Sequence, residues 1–194
     1  MVTKLGNIFI LCCFLIIWFS CNNQNSGDDK SALKNGDSVP TSDILESNKL
    51  GELGFELMKN ESVGEIRLGI EQTKILKLLG EPDYKSNSEL WGADGEYHQE
   101  WKYTRKGINL DFILTADSSS IVDMITISEP CTLKTKRNIG IGNSMEDVQI
   151  AYKELIDIKS SNSKTIIAGT IYGGMIFSVE NKIVKSIFVG AGGE

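Results

Sequence analysis

His98, Glu100 and Asp111 are the residues whose types most directly suggest chemistry, because an imidazole beside two carboxylates can move protons. Strand alternation puts His98 and Glu100 on one face. No nucleophile or oxyanion hole accompanies them in the sequence. Acids beside a histidine on a solvated sheet also make an ordinary surface network, so the chain reads as a non-enzyme. A second candidate is "NIGIGNSMEDVQIAY", residues 138–152, in which two glycines precede an apolar helical pattern as a phosphate cradle would. It has neither G-x-x-x-x-G-K-[ST] nor a third glycine after G-x-G. The residues instead suit a turn into a helix. Gly142 is expected to supply an unusual backbone angle, Ser144 the N-cap, and Asp147 the reciprocal partner of a capping box. In the earlier stretch "IRLGIEQTKILKLLG" Glu71 takes the place of Ser144, so that helix should be capped more weakly, with Gly80 and Pro82 as its stop.

Thiol and metal chemistry find little in the sequence. Cys12 and Cys13 lie in an apolar N-terminal run and Cys21 follows it, which leaves Cys131 with no partner for an internal disulfide. With no CxxC pair and His98 as the one histidine, structural zinc and histidine triads are disfavoured, and neither a cofactor nor a metal is implied. The chain has 20 basic and 26 acidic residues, a net charge of −6, with no basic block. Nucleic acid is therefore not an expected partner.

The N-terminus combines Lys4, an apolar run from Ile8 to Phe19, and Ser20-Cys21. A span needs about 20 apolar residues, so the run is too short to cross a bilayer. It resembles a bacterial lipoprotein signal, which implies cleavage before Cys21 and a lipid on that residue. An ordinary signal peptide cut elsewhere and an uncleaved anchor are the alternatives. Asn22 after the cysteine resembles lipoproteins forwarded to the outer membrane. The expected organisation is a signal peptide over 1–20, a tether over 21–42 rich in Asn, Ser, Asp and Gly, and a leading segment over 43–62. That segment reads as a short helix followed by an edge strand, since Phe55 and Leu57 alternate with Glu56 and Met58.

Residues 63–130 and 131–194 read as two copies of one α+β unit, each a short helical layer on an antiparallel sheet. Ile66, Leu68, Gly69, Ile75 and Leu79 fall on Ile139, Ile141, Gly142, Val148 and Tyr152. "GINLDF" falls on "GMIFSV", and "VDMITI" on "VKSIFV". The stretches "IRLGIEQTKILKLLGEPD", "EWKY" and "IGIGNSMEDV" resemble the fold family shared by β-lactamase inhibitory proteins and the small outer-membrane assembly lipoproteins of the SmpA/OmlA type. The resemblance implies tandem units forming one surface, and it leaves function open between enzyme inhibition and membrane-complex assembly.

The strands must position any site. Trp101 and Tyr103, then Ile108, Leu110 and Phe112, then Ile125 and Ile127 share the face toward the helix; Met175, Phe177, Val179, Ile187 and Val189 do so in the second unit. The opposite face carries His98, Glu100, Lys102 and Asp111 in the first unit, and Ile176 and Phe188 in the second. An apolar patch there suits a partner, unless the segment around Phe55 and Leu57 covers it. Trp91, in the loop-like "SELWGADGEYHQEW", either anchors a partner or sugar together with Tyr97, or pins its loop to the core. The expected function is a lipid-anchored, non-catalytic envelope protein that binds another protein through Trp91, Tyr97, His98, Glu100, Lys102, Asp111, Ile176 and Phe188. The alternative is an extracytoplasmic binder of a small molecule or cell-wall glycan.

Overall fold

The computed structural model describes residues 41–115 and 119–192, with side chains from residue 48 onward. The expected signal peptide, Cys21 and the expected tether as far as residue 40 lie outside the described residues. The chain runs α1 (Thr41–Asn60), α2 (Gln72–Leu79), β1 (Tyr84–Lys85), β2 (Glu89–Leu90), β3 (Tyr97–Tyr103), β4 (Ile108–Leu114) and β5 (Ser120–Ser128). It continues through α3 (Met145–Ala151), β6 (Thr165–Thr170), β7 (Gly173–Glu180) and β8 (Ile183–Gly190). The fold is α+β. Its eight strands form one antiparallel sheet in the order β1-β3-β4-β5-β8-β7-β6, with β2 also paired to β3.

The expected alternation holds along the central strands. Trp101, Leu110, Phe112, Ile125, Ile127, Met175, Phe177, Ile187 and Val189 are buried against Ile75 of α2 and Val148 of α3. Burial of each such side chain contributes about 1.5–3 kcal/mol. Cys131 is free and part of this core.

Each short helix is entered through a left-handed glycine. Gly69 has φ 75° and its N–H donates to the Val122 carbonyl at 2.7 Å; Gly142 has φ 89° and donates to the Val184 carbonyl at 3.0 Å. Ser144 Oγ then accepts from the Asp147 N–H at 3.0 Å, and Asp147 Oδ2 accepts from the Ser144 N–H at 2.9 Å, closing the capping box. Asn143 and the Ser144 N–H hold the Asp147 carboxyl below the usual aspartate range. Glu71 makes no such cap.

The leading segment corrects the expectation of a short helix and an edge strand. It is a single helix of 20 residues. Phe55 and Leu57 alternate, but the side actually buried is Gly54, Leu57 and Met58, a helical spacing that the two-residue pattern masked. The helix lies along β6 and β7 on the side of α2 and α3, where the Phe55 ring sits against Gly173. Gly54 permits the close approach, since a Cβ there would stand 2.2 Å from the Gly173 carbonyl oxygen. The helix therefore does not cover Ile176 and Phe188, which point the other way. Just past its end, the buried Glu61 accepts from the backbone N–H groups of Ser62 and Lys136, at 3.0 and 2.8 Å, and from the Tyr152 hydroxyl at 3.1 Å.

Candidate functional site

The other face of the sheet carries no described helix, and the site is built there from the strand register. Glu100 on β3 lies opposite Asp111 on β4, which lies opposite Met124 on β5. One step along, Lys102, Asn109, Thr126 and Phe188 form a row across β3, β4, β5 and β8. Residues 86–96 fold against the β3 edge and wall this surface. Ser86 Oγ accepts from the Glu100 N–H at 2.9 Å, and the Gln99 side chain donates to the Ser86 carbonyl at 3.0 Å. A cleft of about 380 Å³ results, with Glu89, Trp91, His98, Glu100, Asp111 and Phe188 among its lining residues.

His98 is the centre of this wall. Its ring is 2 % exposed and stacks on Trp91, with centroids 3.8 Å apart and planes 9° from parallel. Nε2 faces Asp94 Oδ2 at 2.9 Å, and Nδ1 makes a short hydrogen bond to Asp111 Oδ1. Burial alone would lower the basicity of this imidazole. The hydrogen bonds and charges of Asp111 and Asp94 outweigh it and raise the pKa above the ordinary histidine value. Burial pushes the Asp111 carboxyl up, against the pull of His98. Asp94, more exposed, is held low by the Glu96 N–H and by His98.

Glu100 and Lys102 form a pair at 2.8 Å, and Asn109 Nδ2 donates to Glu100 Oε1 at 2.7 Å. Burial raises the Glu100 carboxyl, but these two partners prevail and keep it below the usual glutamate range. Asn109 Oδ1, at the same cleft, is buried without a hydrogen-bond partner among the described residues.

Asp123 was not legible as a site residue. Phe112 pairs with Val122 while Asp111 pairs with Met124, so Asp123 is the extra residue of a β-bulge. Val122 and Ile125 are both buried in the core, which leaves Asp123 and Met124 together on the open side. Donor atoms of His98, Asp111 and Asp123 lie within 4.8 Å of one another. Burial pushes the Asp123 carboxyl up.

Of the residues expected from the sequence, Trp91, His98, Glu100, Asp111 and Phe188 line one cleft. Lys102 flanks it through Glu100, and Ile176 flanks it as the cross-strand neighbour of Phe188. Both Ile176 and Phe188 are half-buried rather than a bare patch. Tyr97 departs from the expectation: it alternates with His98, so it points to the opposite side of β3, where it is 50 % exposed. Trp91 and Tyr97 therefore do not form a paired aromatic platform. Both His98 nitrogens face carboxylates, so neither is engaged with a hydroxyl or thiol nucleophile. Comparison of the chain with protein-family models, with curated proteins and with solved structures finds no match.

Proposed function

We propose that the chain is a non-catalytic, lipid-anchored protein of the bacterial cell envelope that binds another protein through the open face of its sheet. The observation that carries this reading is the cleft itself. Glu89, Glu100 and Asp111 line it beside Trp91, Met124 and Phe188, with no lysine or arginine among its lining residues. Such a surface suits a protein segment that presents a basic side chain next to an apolar one.

The anchor rests on the apolar run that ends at Ser20-Cys21. Among the described residues no helix is long and apolar enough to cross a membrane. The module itself reads as a duplication, with the resemblance to the β-lactamase-inhibitory and SmpA/OmlA-type fold as its precedent. Supporting this, Gly69 and Val122 make the same hydrogen bond as Gly142 and Val184, and the pairs Ile125–Val189 and Ile127–Ile187 flank Thr126–Phe188 symmetrically.

The test is photo-crosslinking in cells that make the full chain, with the probe at Lys102 and separately at Phe188. A discrete protein adduct from either position supports the reading. Its absence at both, in folded and membrane-associated protein, removes it. Replacement of Cys21 by Ala should abolish incorporation of labelled palmitate.

A further inference from the structure

The outer end of the open face holds a second arrangement, whose logic does not depend on a protein partner. Three carboxylates, Asp94, Asp111 and Asp123, surround one imidazole. The charges acting on Asp123 are the cation of His98 against the anions of Asp111 and Asp94. The nearby Lys102 is committed to Glu100. Positive charge is thus in deficit at a half-buried place, where an uncompensated charge is costly.

Asp123 makes no hydrogen bond and no ion pair among the described residues, although Asp111 and Asp94 both do. The bulge is what turns it to this side, and bulges commonly re-aim a side chain at a functional place. Its position opens onto a larger cleft of about 890 Å³, bordered by Trp91, Gly92, His98 and Asp123, so the group is reachable from solvent. His98 is also held as metal-binding histidines are held, with one ring nitrogen on a carboxylate that fixes the ring and the other turned toward the remaining donors.

We infer that His98 Nδ1, Asp111 and Asp123 bind a divalent transition cation, with Asp94 orienting the imidazole through Nε2. One nitrogen and two carboxylate donors suit Zn²⁺ or Mn²⁺ better than a soft thiophilic metal. Metal–donor bonds of about 2.0–2.2 Å require the donors to draw in slightly from their present spread. Asp123 can move without breaking any hydrogen bond. The cation takes the place of the proton held between His98 Nδ1 and Asp111, and that proton leaves to water.

The chain has one histidine, so a single imidazole reports on the site. The experiment is a Zn²⁺ titration of the chelator-stripped full chain, followed by nitrogen-15 resonances of the His98 ring. A saturable shift at one equivalent is expected. Asp123→Asn should weaken the apparent affinity at least about tenfold, with the metal-free melting temperature unchanged or raised, because the substitution breaks no hydrogen bond among the described residues and removes a half-buried uncompensated charge. An imidazole that stays unshifted at millimolar Zn²⁺ would overturn the inference. So would an affinity equal in Asp123→Asn and the wild-type chain.

Discussion

Gly54→Ala sets two effects of opposite sign against each other. In a helix that touches nothing, alanine is favoured over glycine by about 1 kcal/mol. In this fold the new Cβ would stand 2.2 Å from the Gly173 carbonyl oxygen and 2.9 Å from Gly169 Cα. Both are backbone atoms of the hairpin joining β6 and β7, so no side chain can swing aside. The helix must lift, which costs about 1–3 kcal/mol as overpacking and loosens the contact of the buried Leu57 as well. The two terms leave a net destabilisation of up to about 2 kcal/mol, and each kcal/mol lowers the melting temperature of a domain this size by about 2–4 °C. Gly51 sits in the same helix with nothing near its Cβ position, so Gly51→Ala is the control and should stabilise by up to about 1 kcal/mol. Urea unfolding followed by circular dichroism measures both variants. A stabilised Gly54→Ala, matching Gly51→Ala, would mean that α1 is not docked on the sheet and would refute the argument.

Four other outcomes follow from the packing and the local electrostatics. Tyr152→Phe removes the hydroxyl that reaches Glu61 and Thr135 in a buried setting, and should cost about 1.5–3 kcal/mol in denaturant unfolding. Ser144→Ala should cost about 1 kcal/mol, and Glu71→Ala, at the corresponding position before α2, much less, because Glu71 makes no side-chain cap. The Asp147 carboxyl is depressed in the folded chain, so its share of the capping box is present above the unfolded value and is lost as pH falls through the folded one; carboxyl NMR titration checks this. Burial pushes the Tyr103 hydroxyl up to about 12, so its contribution is intact below the unfolded value near 10 and is lost as pH rises through 12. Burial also pushes Tyr152 up, so ultraviolet titration should show one fewer late-ionising tyrosine in Tyr103→Phe than in the wild-type chain.

The face assignment was legible because it rests on period two, which survives in Trp101 and Tyr103, in Leu110 and Phe112, and in Met175 and Phe177. The glycine turns and the Ser144–Asp147 box were legible because their chemistry is local. What the sequence hid depends on partners far along the chain. Gly54 reads as a helix weakener until Gly169 and Gly173 are seen against it. Trp91 gives no sign in its own loop that His98 lies flat against it. Asp123 is the sharpest case, since strict alternation from Val122 and Met124 turns it toward the core, and only the bulge brings it beside Asp111. Ile176 and Phe188 do lie on the open side, but both are half-buried, with Gly190 close against the Phe188 ring and Met124.

The central claim is that the open face, and not the helical one, meets a partner. Photo-crosslinking from Phe188 compared with Lys77, an exposed position on α2, tests it most directly. The account predicts a discrete protein adduct from Phe188, lost when Glu100 is replaced by Lys, and none from Lys77. Adducts of equal yield from both faces, or an adduct from Lys77 alone, would contradict it.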